Sequence, residues 1–538
     1  MSATDSAPAA AAAAPAEADA HARARLPSWW PLAALTLLAA ALRLSTLDLQ
    51  SFWYDEAFTP VHVLHPSLWA TLRAVVHSEN TPPLWYVIAW ADARVLGTGE
   101  IALRLPSALA GIATVPVAWA IGRELEGAPA ARGTAPASRG TAPASRAIPP
   151  AAAACAAFVA FNPRFVWYSQ EARAYGLFVL TAALAMLCFL RALREPTRAR
   201  MAAFALTGAL ALLSHYFAAF LLVGMALALI WEPRTRRAAL PALAAVAVVG
   251  AALLPLISAQ GGHGTQWIGR WPLSERLQAI PQYFLTGYSG QPLGHGVELL
   301  VALPILAGLA LGLWRMRAGP PRSPRFALIA LTLTACGVLI PIALIAFGAD
   351  YLAPRNLVAA MIPVACLIAL VTTWPGTARA GVAVSAAIAL AFLAISIDVD
   401  LSPRLQRGNW RDVARALRGA GGGRDRAITT VELGSAPLEY YLHGLHGLHR
   451  GSSVLVDEID ETGYAPLRAS AGRQPAPGFH LLARLDIDGL IVYRFVSARP
   501  QLVSEATLRR HVITLAPPDV LVPAGSHVVA VTRRPERG

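Results

Sequence analysis

The sequence contains no lysine and only four cysteines, and charged residues make up just 14% of its 538 residues. Soluble domains carry about 25% charged residues, so this chain has too few charges to cover a water-exposed surface. All four cysteines lie inside apolar runs and lack metal-ligand spacing, so we interpret them as small buried hydrophobes without a disulfide or zinc role. Hydrophobic residues reach 56%, and the mean hydropathy is +0.49. The composition therefore predicts a polytopic membrane protein.

The net charge of +13 comes from arginines, and these gather in short clusters between apolar runs. This pattern is typical of cytoplasmic loops in membrane proteins, so the charge indicates topology and not nucleic-acid binding. Residues 1–28 begin with an Ala-rich stretch, 1–22, that lacks a basic n-region and a cleavage site. We predict that they form a disordered cytoplasmic N-terminus, followed by a retained first helix and not by a cleaved signal peptide.

A membrane-spanning helix needs roughly 20 apolar residues. Runs near that length predict eleven spans, at 29–46, 104–123, 148–163, 174–191, 201–214, 216–231, 238–258, 294–314, 325–347, 356–373 and 381–397. Residues 82–97 are apolar but short and carry two charges, so we expect a helix in the outer interface there. The tandem repeat at 132–145 predicts a flexible cytoplasmic linker. Arginine-rich loops at 123–147 and 315–325 are then cytoplasmic.

The pattern changes after the last apolar run. Residues 398–538 combine an amphipathic segment, "NWRDVARALR", with short strand-like runs, "AITTV", "SSVLV" and "GLIVYRF". We predict a membrane domain at 29–397 and a small soluble α/β domain at 398–538. An odd number of spans places that domain outside.

Polar and aromatic residues concentrate in three segments of the predicted outer face. The first, 47–103, contains the adjacent acids Asp55 and Glu56. A partly desolvated carboxylate at the mouth of a membrane cavity accepts a proton from a hydroxyl more readily, so either acid suits a general base. The alternative is that both are solvated loop residues. The first segment also supplies His62, His65, His77, Glu79 and Asn80.

The second segment, 161–177, places two arginines where an outer-leaflet phosphate would lie, with a tyrosine, an amide and an acid between them. Arginine's planar donors match phosphate oxygens, although interfacial anchoring of a helix end is the alternative. These residues are Arg164, Tyr168, Gln170, Glu171 and Arg173. The third segment comprises His215 and Tyr216 together with Gln266, Trp267, Trp271, Tyr283 and Tyr288. A divalent metal at His77, Glu79 and His215 is conceivable, but no two of these residues have ligand spacing on one helix, so the metal is unsupported and we predict no cofactor.

Four stretches carry a resemblance to a known family. They are "RLSTLDLQSFWYDEAFT", "HSENTPPLWYVIAW", "ALRLPSALAGIATVPVAWAIGREL" and "NPRFVWYSQEARAYGL". Their order and spacing resemble the GT-C glycosyltransferases, in the bacterial branch related to protein O-mannosyltransferases and aminoarabinose transferases. The resemblance covers roughly 29–235, and "DYLAPRNLVAAMIP" at 350–363 more weakly.

The resemblance implies inverting transfer of a sugar from a polyprenyl phosphate at the outer face. It implies Asp55 as the base, Glu56 as its companion acid, and His77 with Glu79 at the substrate mouth. It also implies Arg173 and Tyr175 near the lipid phosphate, and functional roles for Arg104 and Arg355. The Pro82-Pro83 stretch lacks the adjacent lysine of the aminoarabinose type, which argues against lipid A as acceptor. "QEARAY" lacks the acidic metal motif of oligosaccharyltransferases.

We therefore expect a glycosyltransferase of the cytoplasmic membrane that moves a monosaccharide from a polyprenyl-phosphate donor to a hydroxyl of a lipid, glycan or protein. One alternative is a lipid-linked glycan flippase, which would need inverted repeats and broken helices near the midplane. Another is a polysaccharide polymerase or ligase that uses a whole oligosaccharide donor.

Overall fold

The computed structural model describes residues 29–126, 148–287, 293–318, 325–419 and 425–530. The predictions for residues 1–28, for the tandem repeat, for most of the loop 315–325 and for Tyr288 lie outside these ranges. Within them the chain forms a large helical part followed by a small domain built on one β-sheet.

Each of the eleven predicted spans coincides with a helix. Seven are long and apolar enough to cross a membrane, whereas four are shorter, at 12 to 17 residues, and the number of crossings stays a prediction. The break predicted near Ser214 is present, because one helix ends there and the next begins at Ala218. The helices are α1 (Trp30–Leu44), α5 (Glu100–Glu126), α6 (Pro150–Phe161), α8 (Tyr175–Arg194), α9 (Arg198–Ser214), α10 (Ala218–Trp231), α11 (Pro233–Gln260), α14 (His295–Ala318), α15 (Arg325–Ile345), Pro354–Thr372 (a 3₁₀ segment, Pro354–Ala360, leading into α16, Met361–Thr372) and α17 (Ala378–Leu401).

Short helices connect these elements at one end of the bundle. The apolar segment 82–97 forms a helix of only 13 residues, which ends at Gly97, where φ is +85° and favours glycine. The short helices are α2 (Tyr54–Phe58), a π-helical turn (Thr59–Val63), α3 (Leu68–Ser78), α4 (Leu84–Leu96), α7 (Pro163–Ser169), α12 (Gln266–Arg270) and α13 (Leu273–Thr286). Their polar side chains supply most of the candidate site.

The C-terminal domain is a mixed sheet with strand order β2-β6-β1-β3-β5-β4, and β7 pairs with β3. Among the described strand pairs, only β1 and β3 run parallel. The three strand-like runs of the sequence lie in β1, β3 and β5, so the predicted small α/β domain is confirmed. Its elements are α18 (Trp410–Gly419), β1 (Arg426–Val431), α19 (Ser435–Tyr441), β2 (Leu445–Gly447), β3 (Ser452–Tyr464), β4 (Phe479–Ile487), β5 (Leu490–Ser504), α20 (Glu505–Arg510), β6 (Pro518–Pro523) and β7 (Val528–Ala530).

Helices α18 and α19 join this domain to the short helices of the membrane part. The amphipathic α18 buries Trp410, Val413 and Leu417 against the sheet, as its pattern predicts. The Tyr441 hydroxyl accepts a hydrogen bond of 2.7 Å from the backbone N–H of Phe52. The Ser51 hydroxyl donates to the carbonyl of Gly408 at 2.8 Å. The domain therefore packs directly on the turn that leads into α2.

Candidate functional site

Helix α2 carries the two adjacent acids, and the fold gives them different surroundings. Glu56 is fully buried and accepts two hydrogen bonds of 2.7 Å from Arg104, one on each carboxylate oxygen. The backbone N–H of Ala172 donates to the same carboxylate at 2.9 Å. Burial disfavours the charged form, yet the guanidinium groups of Arg104 and Arg407 hold the pKa of Glu56 below its ordinary value.

The guanidinium of Arg104 is fully hydrogen-bonded within the protein. Besides the carboxylate of Glu56, it donates to the backbone carbonyls of Leu47, Gln50 and Ser51 at 2.7 to 3.1 Å. A guanidinium has five N–H donors, and these five contacts use all of them. We use the name anchor cluster for Glu56, Arg104 and the three backbone carbonyls that Arg104 contacts. It fixes α2 and the turn before it, and it leaves Arg104 no donor for a substrate phosphate.

Asp55 faces another direction. Its carboxylate forms an ion pair of 3.0 Å with Arg355, and 20% of its side chain is exposed to solvent. Successive residues of a helix project about 100° apart, so neighbours in sequence reach different surroundings. Asp55 therefore remains accessible, while Glu56 lies in the interior.

A cavity of about 390 Å³, which we call the pocket, is lined by Tyr54 of α2 and by Arg355, the ion-pair partner of Asp55. Its walls come from α2, α7, α13, the start of the segment Pro354–Ala360, the connection after α17, and the C-terminal domain. Four arginines and several aromatic rings line it. The lining side chains used below are Trp53, Tyr54, Arg164, Trp167, Tyr168, Glu171, Tyr283, Arg355, Arg404, Arg407, Trp410 and Tyr464.

The four arginines of the pocket differ in how far the protein satisfies them. The Arg164 guanidinium lies 4.0 Å from the ring centre of Tyr283 and donates to the carbonyl of Gly287 at 3.1 Å and to the Tyr168 hydroxyl. Its Nε is buried without a hydrogen-bond partner. Arg404 is exposed, and no described residue pairs with it. The pocket therefore keeps cationic donors for an anion.

Glu171 is the one carboxylate in the pocket wall among the described residues. It is buried, its Oε2 accepts a hydrogen bond of 3.3 Å from Arg407, and its Oε1 has no partner. Burial raises the pKa of Glu171, although the charge of Arg407 opposes the shift. The pocket thus combines an excess of positive charge with one buried acid.

The structure brings together only part of the predicted site. Arg164, Tyr168, Glu171 and Arg355 line the pocket. Arg173 does not, because it forms a two-pronged ion pair with Glu79 at 3.1 and 2.9 Å and also donates to the backbone carbonyl of Asp55. The other predicted residues outside the pocket lining are Asp55, Glu56, His77, Glu79, Asn80, Arg104, Gln170, Tyr175, His215 and Tyr216.

Several of these remaining residues hold the surrounding helices together. His215 stacks on Phe178 at 4.6 Å between ring centres. The Tyr216 hydroxyl donates to Gln260 at 2.7 Å, and Gln260 in turn donates to one carbonyl in α3 and one in the α3–α4 turn. Among the described residues no three His, Cys, Asp or Glu side chains are grouped as they would be around a metal ion.

Arg404 and Arg407 are pocket residues that the sequence analysis missed. Both follow the last predicted span, in "SPRLQRGNWR". Arginines are depleted in outer loops, so two of them directly after a span on the predicted outer side conflict with the rest of the chain. That conflict was a signal of a local role, and it was available in the sequence.

Comparison with known proteins gives a match at the level of structure only. No known protein family and no curated protein matches the sequence. ArnT from Cupriavidus metallidurans in the apo state matches with a TM-score of 0.51 at 14% identity, over 86% of this chain and 97% of that one. The same protein bound to undecaprenyl phosphate matches with a TM-score of 0.50 at 14% identity, over 87% and 98%.

The chain has a GT-C fold. The fold implied by the sequence resemblance is therefore confirmed, including the C-terminal sheet domain. The match covers nearly the whole of ArnT, so the membrane helices and the C-terminal domain belong to one shared architecture. At 14% identity the likeness concerns the fold, and the roles of individual residues rest on the geometry described above.

Proposed function

We propose that this chain is a membrane glycosyltransferase that moves a monosaccharide from a polyprenyl-phosphate donor to a hydroxyl acceptor. The observation that carries the proposal is the pocket, where four arginines line a cavity and one of them, Arg355, pairs with the accessible carboxylate of Asp55. A transferase of this type needs an anion site next to a proton acceptor. ArnT, an aminoarabinose transferase with the same fold, has been solved with undecaprenyl phosphate bound.

The donor phosphate is assigned to the arginines of the pocket. Arg164 has an unpartnered Nε, and Arg404 lacks a partner among the described residues. Charge-assisted hydrogen bonds from these groups stabilise the negative charge that develops on the departing phosphate. Arg355 forms an ion pair with Asp55 and also lines the pocket, so it links the anion site to the base.

Asp55 is assigned as the general base. Its carboxylate takes the proton of the acceptor hydroxyl while the hydroxyl oxygen forms a bond to the anomeric carbon of the sugar. The bond between that carbon and the phosphate oxygen breaks, and its electron pair leaves with the polyprenyl phosphate. Attack and departure on opposite faces invert the anomeric configuration. Glu56 supports the reaction indirectly, because the anchor cluster fixes α2, the helix that carries Asp55.

Reconstitution tests the proposal. Purified protein in lipid vesicles receives a panel of labelled polyprenyl-phosphate sugars and candidate acceptors, and the label is followed from lipid to acceptor. We expect product with one donor and none when the acceptor is left out. If the protein moves the donor across the bilayer without forming a sugar–acceptor bond, the flippase alternative replaces the transferase.

We also propose that the pocket and the C-terminal domain face outward from the cytoplasmic membrane, because arginine clusters lie at the other end of the helices. Ala199, at the arginine-rich start of α9, and Ala469, in the C-terminal domain, are both exposed. In a chain whose four native cysteines are replaced, Ala469→Cys should react with an impermeant thiol reagent in intact cells, and Ala199→Cys should be protected. The reverse labelling pattern would contradict the orientation.

A further inference from the structure

The connection between α17 and α18 carries a buried arginine that reaches into the site. The backbone N–H of Arg407 donates to the side-chain oxygen of Gln50 at 3.0 Å. The guanidinium donates to the same oxygen and to the carbonyl of Trp167, each at 3.3 Å. It also lies 4.0 Å from the ring centre of Trp167. Arg407 therefore ties this connection to α7 and to the turn before α2.

Arg407 lies between two buried carboxylates. Its Nη2 is 3.3 Å from Glu171, and its Nε is 3.7 Å from Glu56. Glu56 has Arg104 as a second partner, whereas Arg407 is the one ion-pair partner of Glu171 among the described residues. A buried charge that loses its partner is strongly destabilised. Glu171 is thus the acid that depends on Arg407.

The position of Glu171 makes this dependence important for ligand binding. Glu171 lines the pocket, and its buried Oε1 has no partner. An uncompensated carboxylate there would repel a phosphate in the same cavity. A carboxylate paired with Arg407 keeps an acceptor oxygen at the pocket wall without adding net charge. Sugars present hydroxyl donors that match such an oxygen.

We infer that Arg407 is a positioning residue that holds Glu171 as a charge-compensated hydrogen-bond acceptor for a sugar hydroxyl of the donor. The inference rests on the proposed function, because it places the sugar phosphate in the pocket. It also gives the C-terminal connection a part in the site, since Arg407 belongs to the segment that leads into the C-terminal domain.

The prediction can be checked through pH, since burial raises the pKa of Glu171 already in the presence of Arg407. In Arg407→Gln the pKa of Glu171 should rise further. At pH 8, where more of Glu171 carries its charge than at pH 6, donor affinity should fall about tenfold or more. At pH 6 a larger fraction of the acid is protonated, so the loss of affinity should be smaller. The charged and titratable groups around Glu171 are Arg407, Arg164, Glu56, Asp55, Arg355, Tyr168 and Tyr175.

The experiment measures equilibrium binding of a polyprenyl-phosphate sugar at pH 6 and pH 8, together with thermal unfolding. The proteins are the wild type, Arg407→Gln, Glu171→Gln and the double variant Arg407→Gln/Glu171→Gln. We expect the double variant to bind more tightly than Arg407→Gln at pH 8 and to lose the pH dependence. Arg415→Gln, which changes an exposed arginine of α18, is the matched control and should leave binding unchanged.

Two results would overturn the inference. One is an equal loss of affinity at both pH values in Arg407→Gln that the second substitution does not relieve, because that indicates a purely structural role. The other is wild-type affinity in Arg407→Gln at pH 8. The binding assay needs no turnover, so it decides the inference even if the wild-type protein transfers no sugar and the proposed function fails.

Discussion

The anchor cluster and the pocket lie on two sides of the short helix α2. Both contain arginines and acids, but they differ in how completely these side chains are buried and hydrogen-bonded by the protein. In the anchor cluster, Arg104 spends all five N–H donors on Glu56 and three backbone carbonyls, and neither side chain is exposed. At the pocket, Arg355 of the wall pairs with Asp55, which lies outside the lining and keeps solvent access, and Arg164 retains an unpartnered Nε. Ion pairs whose hydrogen-bond donors are all used hold the helices in place. Groups that keep an unused donor or solvent access are available to a ligand.

This difference separates residues that composition and spacing treat alike. Arg104, Arg164, Arg173 and Arg355 were all candidates for substrate binding. Only Arg164 and Arg355 line the pocket, because the other two are tied to Glu56 and Glu79. Counting unused donors therefore gives a sharper criterion for a phosphate site than the presence of arginine.

Substitution of Asp55 should have the largest effect on activity. Asp55→Asn keeps the size and polarity of the side chain but removes its proton acceptor. Transfer should fall by about 10²–10⁴-fold, the usual loss when general acid–base catalysis is removed, while donor binding stays near the wild-type value. Single-turnover transfer and equilibrium binding, measured on the same preparation, check both parts. Wild-type transfer by this variant would exclude Asp55 as the base.

Substitution of Glu56 tests the other side of α2. Glu56→Gln leaves the buried Arg104 without its anionic partner, and removal of one member of a buried pair costs about 3–5 kcal/mol. We expect a clear fall in thermal stability, with activity lost in proportion to folded protein. Glu124→Gln is the control, because its pairs with Arg191 and Arg194 are partly exposed and worth about 0–1 kcal/mol. If the two variants were equally stable, the buried pair of Glu56 would contribute no more than a partly exposed pair. The distinction between the anchor cluster and the pocket would then be wrong.

Much of the fold follows from the sequence, because apolar length and arginine placement are local signals. The eleven helices, the break after Ser214 and three of the seven described strands of the C-terminal domain were predicted from such patterns. Helix α6, with 12 residues, is shorter than the roughly 20 residues that a membrane span needs. An apolar run predicts a helix, but its length alone does not settle whether that helix crosses the membrane.

The site was less predictable, because its geometry depends on contacts between distant segments. Nothing local distinguishes Asp55 from Glu56, since the difference arises from α5 and from the loop at Ala172. Arg407 approaches Glu171 across 236 positions of sequence. Residue type and membrane face predicted a shared cavity, but they did not identify which arginines the protein itself would satisfy.

A pair of arginine variants tests the count of unused donors. Arg164→Ala removes a pocket guanidinium and should weaken donor binding by about 1.5–3 kcal/mol, the range for a hydrogen bond to a charged group. Arg173→Ala removes a guanidinium that is held by Glu79 and should mainly reduce thermal stability. Binding isotherms and melting curves for both proteins provide the check. If Arg173→Ala weakens donor binding more than Arg164→Ala does, the assignment of the phosphate to the pocket is wrong.

Arg404 should give the smallest effect, since it lines the pocket from an exposed position. An exposed charge acts through solvent and is screened by salt, with a Debye length of about 10 Å at 0.1 M ionic strength. Arg404→Ala should therefore lower donor affinity by less than about tenfold at low salt, which is 1.4 kcal/mol or less. The difference from wild type should shrink in 0.5 M salt, and thermal stability should not change, because no described residue pairs with this side chain. Titration of the donor at the two salt concentrations separates Arg404 from Arg164, whose buried guanidinium is screened much less. A salt-independent loss as large as that of Arg164→Ala would mean that Arg404 closes onto the phosphate when the donor binds, and would place it among the buried ligand contacts.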